Sequence, residues 1–230
     1  MFFDFVKNFF VNSKKESIEK NLFSLPVVET VFFSEEELAK ILKEHSIWLK
    51  SSGSFGTRAS FNGMIIPSLN FFMADLKKAD FEGSDLSKSQ FQWADLSGAD
   101  FTEVNLQQAN LEKANLQGAN FQNANLDFSN LHRANLWGTY LVGASLRHSC
   151  LKKAWAKFAD FRRTTWEGAQ LLQANFWGSN LEGSDIDQFS QSPLELAGVN
   201  FQEATWVNGK RCLRGSVGRI VIADALSVPK

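Results

Sequence analysis

From Phe61 onward an apolar residue recurs at every fifth position, through Ile66, Phe71, Leu76, Phe81, Leu86, Phe91 and Leu96, and the run continues to Trp206. Among these centres only Gln191 is polar and only Ala156 is small. The residue two before each centre is usually Ala, Ser, Thr or Val, and the one immediately before it is often Asp or Asn, as in ADLSGADF and ANLEKANLQGANF. The unit is therefore A(D/N)LXX. An α-helix turns about 100° per residue, so a step of five sends successive centres around all sides. A straight strand fails as well, because an odd period reverses the face at each step. A corner in every unit reconciles the pattern: the centre and the residue two before it point inward together, and the two residues after the centre make the turn. Every glycine between residues 59 and 206, Gly63, Gly83 and Gly98 among them, falls two after a centre, where a turn needs positive φ.

The number of corners per coil is read from phenylalanine, because residues stacked in neighbouring coils share an environment. A repeat of twenty gathers Phe61, Phe81, Phe101, Phe121, Phe161 and Phe201 into one class, whereas a repeat of fifteen scatters the central Phe residues. Four sides and twenty residues per coil are expected, with one inner wall a stack of Phe. On this motif the chain resembles the bacterial pentapeptide-repeat family. The resemblance implies an all-β solenoid, a right-handed quadrilateral parallel β-helix, over about two thirds of the chain. With coils about 4.8 Å apart, some seven coils span roughly 35 Å, and stacking plus end caps must supply the stability that a single coil lacks.

The expected organisation is an N-terminal apolar segment and linker (1–33), a capping helix and lead-in (34–58), the β-helix (59–206) and a C-terminal cap or tail (207–230). Ser34 with Glu37 forms a capping-box signature, and Leu38, Ile41, Leu42, His45 and Leu49 share one face of a helix that stops near Gly53. The helix is expected to cover the first coil. His45 has no second His or Cys beside it, which makes it a satisfied interface histidine rather than a ligand. HSIWLKSSGSFGTRASFNG resembles lead-ins of bacterial pentapeptide-repeat proteins. TWVNGKRCLRGSVG resembles their ends, with Ile220 where a second cysteine is common. Phe2, Phe5, Val6, Phe9 and Phe10 lie at helical spacing ahead of Lys14 and Lys15, a piece that suits docking on the protein, a homodimer contact or a membrane surface. DQFSQSPLE (187–195) breaks the motif without losing its five-residue register, so a bulge or loop is expected there.

Composition narrows the function classes. The chain has 24 Lys and Arg against 25 Asp and Glu, so no global field selects a nucleic acid or an anionic membrane. Cys150 and Cys212 are too few and too far apart for a disulfide framework or a zinc site, and as reduced thiols they fit the cytoplasm. MFFDFVKNFF lacks the basic start and cleavage site of a conventional signal peptide, and no apolar run is long enough for a transmembrane helix. A cytoplasmic protein is expected, or a secreted effector exported without such a signal. No cofactor or metal is implied.

Outward residues stack at intervals of twenty, so surface columns are readable. Asp127, Arg147 and Glu167 alternate in sign, and Arg162 is expected to pair with Glu182. Trp137, Lys157 and Trp177 place a lysine between two indoles, the arrangement of a cation–π column. Lys113, Arg133 and Lys153 stack like charges beside His132 and Lys152, with Trp155 in the Asp/Asn position next to them. Solvation and splayed side chains accommodate such a column. The alternative is a partner-binding patch of Lys113, Arg133, Trp137, Lys152, Lys153, Trp155, Lys157 and Trp177.

The expected function is a non-enzymatic protein-interaction scaffold or regulatory module, a secreted bacterial effector being one form of it, with a partner that is acidic at its contact. Family resemblance implies an alternative, a DNA mimic that binds the type II topoisomerase DNA gyrase. That mimicry needs a long anionic surface. Here residues 75–127 carry nine acids and four bases, 133–163 one acid and seven bases, and 167–203 six acids and no base. A cationic belt thus crosses the middle. No enzyme is indicated: His132 and His148 fall on different sides, and no phosphate-binding glycine loop is present.

Overall fold

The computed structural model describes residues 33–185, 200 and 201. The Phe-rich N-terminal segment, the 187–195 interruption, the 207–230 tail and Cys212 lie outside the described residues.

The first element, α1 (Glu35–Lys50), starts at the capping box: the Ser34 hydroxyl accepts from the Glu37 N–H at 3.2 Å, and the Glu37 carboxylate accepts from the Ser34 N–H at 2.8 Å. Glu35, Glu36 and Glu37 sit on the positive end of the helix dipole and Lys50 on the negative end. Leu38, Ile41 and Leu42 pack against the solenoid core, while Phe33 meets Phe61 edge-on at 6.0 Å. The chain then doubles back across the helix. Gly56 (φ +75°) passes so close that a Cβ there would lie 2.7 Å from the Trp48 nitrogen.

His45 joins this cap to the first coil. It is fully buried, stacks on Trp48 at 5.6 Å, and its Nδ1 accepts from the Ala59 N–H at 3.0 Å. Among the described residues Nε2 is buried without a well-formed hydrogen bond, although the Lys77 backbone lies near enough to favour its proton, so the satisfaction expected from the sequence is realised fully only at Nδ1. Burial, opposed in part by the Asp75 carboxylate, holds the imidazole pKa below its ordinary 6.5. The native state thus favours neutral His45, the unfolded chain binds the proton first, and stability is lost as pH falls below about 6.5. Thermal melts at pH 7.5 and 5.5 are expected to show a lower Tm in acid, and His45→Gln is expected to flatten that dependence; equal Tm values at both pH values would remove His45 from this role.

Beyond the cap, parallel β-bridges join residues twenty apart: Ser60 to Asp80 to Asp100, Ile65 to Asp85, Asn70 to Gln90 and Asp75 to Asp95, and onward. Four bridged columns, five residues apart, therefore repeat along the molecule. We number them walls one to four by their centres Phe61, Ile66, Phe71 and Leu76. Where Asp or Asn precedes the centre, as in the unit 99–103, the backbone donors are all accounted for. The Phe61 N–H donates to the Asp80 carbonyl (2.7 Å), the Gly63 N–H to Glu82 (2.8 Å), the Asp80 N–H back to Ala59 (3.0 Å), and the Met64 N–H closes the turn onto Phe61 (3.1 Å). The fifth donor, on the residue after the centre, is capped by the preceding Asp or Asn, as where the Thr102 N–H meets Asp100 Oδ1 at 3.0 Å. This is why Asp and Asn recur before the centre.

Positive φ holds two after every centre from Phe61 to Leu181, at Lys113 (58°), Arg133 (58°) and Lys153 (59°) as well as at glycines such as Gly98 (66°). Glycine marks the corner but is not required at it, since the hydrogen bonds of the coil offset the roughly 1–2 kcal/mol that an L-residue loses there.

The centres and the residues two before them fill the core. Phe61, Phe81, Phe101 and Phe121 stack at 5.1, 4.7 and 4.6 Å, with rings within 6° of parallel. Phe71 and Phe91 stack at 4.8 Å on wall three and meet the first stack edge-on, Phe91 to Phe101 at 6.2 Å. Several buried hydroxyls are satisfied locally, Ser84 by the Phe81 carbonyl at 2.7 Å and Thr164 by Phe161 at 2.6 Å, whereas Ser129 Oγ finds no partner among the described residues. One expectation is corrected. Asn200 bridges Asn175, twenty-five residues away, and Phe201 stacks on Phe176 at 5.3 Å. Phe201 therefore belongs to wall four rather than to the Phe61 wall. The five-residue register survives the interruption, but that coil contains five additional residues, so the period of twenty does not.

Candidate functional site

Wall four and its two edges gather the residues singled out from sequence. The edge shared with wall three carries His132, Arg133, Lys152 and Lys153; the outer face carries Trp155; the edge shared with wall one carries Trp137, Lys157 and Trp177. Alternation along the bridged segment sets these directions, since Ala154 and Ala156 on either side of Trp155 are buried while its indole is 65% exposed. Its neighbours on the face are Asn135 and Asn175.

The cations divide into two groups. Lys113 lies over the Trp93 ring, 4.1 Å from its centroid, and 3.7 Å from the Glu112 carboxylate, which His132 also approaches at 3.6 Å. Among the described residues, Arg133, Lys152, Lys153 and Lys157 form no ion pair. The like-charged column is thus neutralised at its Lys113 end and uncompensated at Arg133 and Lys153, where wall four turns.

Two expected contacts are replaced. The indoles of Trp137 and Trp177 enclose Phe158, not Lys157: its ring meets Trp137 edge-on at 6.2 Å and Trp177 at 4.7 Å. Phe158 has φ +57°, which carries its ring out at the corner, and it lies over Gly178, where a Cβ would sit 3.0 Å from the ring. Arg162 pairs with Asp160 rather than Glu182, its Nη2 2.7 Å from Oδ2 and its Nε within 3.1 Å of both oxygens. The guanidinium fork closes on a carboxylate two residues back more readily than on one in the next coil. In the alternating column Arg147 reaches Glu167 at 4.0 Å, while Asp127 accepts the Arg147 N–H at 3.0 Å and so caps the next coil.

One signal was present in the sequence and was missed. Reading the position before each centre gives Asn135, Tyr140, Ser145, Cys150, Trp155 and Asp160: for one full coil no Asp or Asn appears. Tyr140 (57% exposed) and Trp155 replace the capping side chain with exposed rings. Among the described residues the N–H groups of Val142, Lys152 and Lys157 consequently find no acceptor, nor do those of Asn62, Gln92, Glu167 and Leu172, which follow Ser60, Gln90, Thr165 and Gln170. Phe158, Tyr140 and the exposed Leu172 thus extend the patch. His132 and His148 stand on different edges, the latter stacked on Phe128 at 4.8 Å. Among the described residues no cluster of His, Cys, Asp and Glu is arranged to hold a metal, and no helix is long and apolar enough to cross a membrane.

The model of pentapeptide repeats matches eight copies over residues 70–102, 99–138, 124–157 and 157–188, more than half of the chain. The chain belongs to the pentapeptide-repeat family. HetL, a pentapeptide-repeat protein involved in heterocyst differentiation regulation from the cyanobacterium Nostoc sp. strain PCC 7120, is 19% identical over 78% of this chain and 100% of its own, with a TM-score of 0.41. QnrB1, a plasmid-mediated fluoroquinolone resistance protein, is 20% identical over 63% and 76%, with a TM-score of 0.36. A pentapeptide-repeat protein of the Arabidopsis thaliana thylakoid lumen is 24% identical over 67% and 81%, with a TM-score of 0.28. No curated protein matches the sequence. In this pentapeptide-repeat protein the coil from Tyr140 to Trp155 departs from the family's own unit, and the departure coincides with the uncompensated cations.

Proposed function

We propose that this chain is a non-enzymatic protein-interaction scaffold, a right-handed quadrilateral β-helix whose recognition surface is wall four between Arg133 and Trp177. The observation that carries the reading is the coincidence, on one wall, of exposed aromatic rings with cations that no carboxylate compensates. Core coils of the family unit need neither feature. Exposed Trp and Arg are the residue types that dominate interface energetics, and the charge of the patch suits a partner acidic at its contact. Arg133→Glu/Lys153→Glu is expected to weaken capture of that partner by at least about tenfold, as loss of close interfacial charge pairs does. The same variant should keep its Tm, because reversal turns the Lys113–Arg133 repulsion into an attraction and only exchanges one like-charged pair, Arg133 with Lys153, for another. A pull-down with wild type and variant at equal concentration reads this, and equal capture would count against the patch.

The alternative is a DNA mimic that binds gyrase. Its support is the acidic band in the first coils, where Asp75 bridges Asp95 and Asp80 bridges Asp100. Against it stand the belt of seven bases from 133 to 163 and the Lys77 ammonium, which sits 3.1 Å from Asp75 and 3.3 Å from Asp95. A supercoiling assay discriminates: inhibition or protection of gyrase that survives Arg133→Glu/Lys153→Glu would favour the mimic.

A further inference from the structure

We infer that the occupant of wall four is a short extended peptide whose acidic side chains flank an apolar or aromatic one. The inference rests on the reading of wall four as the recognition surface and adds what that surface takes. In regular coils the N–H after each centre is held by a side-chain oxygen of the chain itself: Asn110 Oδ1 for Glu112 at 3.1 Å, Asn130 Oδ1 for His132 at 3.0 Å, Asn135 Oδ1 for Trp137 at 3.2 Å, and Asn175 Oδ1 for Trp177 at 3.1 Å. Among the described residues no such oxygen serves the N–H of Lys152, Leu172 or Lys157, where Cys150, Gln170 and Trp155 occupy the capping position; Asn62, Gln92, Val142 and Glu167 share this lack, and the three on wall four are set apart by the uncompensated cations beside them. These three donors bracket Trp155, two at the edge before it and one at the edge after it. A carboxylate oxygen is the nearest chemical equivalent of the absent Asn or Asp oxygen, and it would be strengthened there by the uncompensated charges of Arg133, Lys152 and Lys153.

The surroundings bound the ligand's size and kind. The uncompensated cations, Arg133, Lys152, Lys153 and Lys157, span two coils, roughly 10 Å at the spacing between bridged strands. Toward the N-terminal coils wall four carries Asp75 and Asp95 on its face and Glu112 on its edge, whereas the described acids beyond the patch, Glu167, Glu182 and Asp185, lie on wall two and its edges. A long polyanion such as single-stranded nucleic acid would run onto the Glu112 and Asp95 carboxylates on the N-terminal side, whereas a peptide of a few residues ends before them. Between the donor edges the ligand must cover the Trp155 indole and can reach Phe158 and Trp177, which calls for an apolar or aromatic side chain rather than an unbroken acidic run.

The test is selection from a phage-displayed library of random twelve-residue peptides on the full chain, followed by titration of the selected peptide in synthetic form. Enriched peptides are expected to place Asp or Glu on both sides of an apolar or aromatic residue. Their Kd is expected to rise at least tenfold for Arg133→Glu/Lys153→Glu, and separately for Trp155→Asn, and to rise with salt. Neutral or basic selected peptides, no enrichment, a Kd indifferent to both variants, or tighter binding of a twelve-nucleotide oligo(dT) would each overturn the inference. If the partner pull-down depends on Arg133 and Lys153 but no acidic peptide is selected, the peptide inference alone falls; if neither responds, the reading of wall four falls with it.

Discussion

Phe101→Ala is expected to destabilise the protein by about 3–5 kcal/mol, the cost of removing a fully buried Phe ring and leaving its cavity. The ring is 0% exposed and lies between Phe81 at 4.7 Å and Phe121 at 4.6 Å, with Phe91 edge-on at 6.2 Å. In a solenoid each coil touches only its neighbours, so this one truncation weakens two successive interfaces at once. Phe101→Leu is expected to cost much less, about 1.5 kcal/mol or under, because leucine already occupies the same wall at Leu141. Denaturant unfolding followed by circular dichroism compares the two. Similar midpoints for both variants would contradict this, because leucine restores most of the apolar volume and would then have recovered none of the stability.

Trp155→Asn is expected to move stability and binding in opposite directions. An Asn at 155 would accept from the Lys157 N–H, as Asn135 does from Trp137 and Asn175 from Trp177. It would also donate to Asn135, continuing the ladder in which Asn135 Nδ2 reaches Asn115 Oδ1 at 3.0 Å. Restoring a net hydrogen bond stabilises by about 1 kcal/mol. Trp155, by contrast, is 65% exposed and makes no aromatic or cation–π contact among the described residues. Folding gains little from its indole, and an interface anchor of this type contributes about 2 kcal/mol or more to binding, roughly thirtyfold in affinity. A residue that replaces a stabilising side chain with an unpartnered one fits the usual opposition between stability and function.

Much of this architecture was legible because the solenoid repeats one local rule. The five-residue period, the capping box at Ser34 and Glu37, and the turn position of the glycines each follow from backbone requirements that a sequence displays directly. What escaped depended on side-chain direction at corners. Lys157 and Phe158 are adjacent in sequence, and only the left-handed backbone at Phe158 decides which of them reaches the indoles. The choice of Arg162 between Asp160 and Glu182 likewise turns on reach rather than on column membership. Phe201 was assigned to the wrong wall because a five-residue grid counts additional residues without saying whether they form a side of the coil or leave it. The candidate patch was only partly visible: the charges and tryptophans stood out, but the uncapped N–H groups of Lys152, Lys157 and Leu172 became evident only once the Asp and Asn oxygens were seen to hold their equivalents elsewhere.

The most direct test of wall four as a recognition surface is a paired measurement on Trp155→Asn, its Tm by differential scanning calorimetry and its affinity for the partner captured by the wild-type chain. The account predicts a Tm at or above that of the wild type together with a roughly thirtyfold weaker Kd. A lower Tm with unchanged affinity would contradict it, making Trp155 a structural residue and leaving wall four without a function.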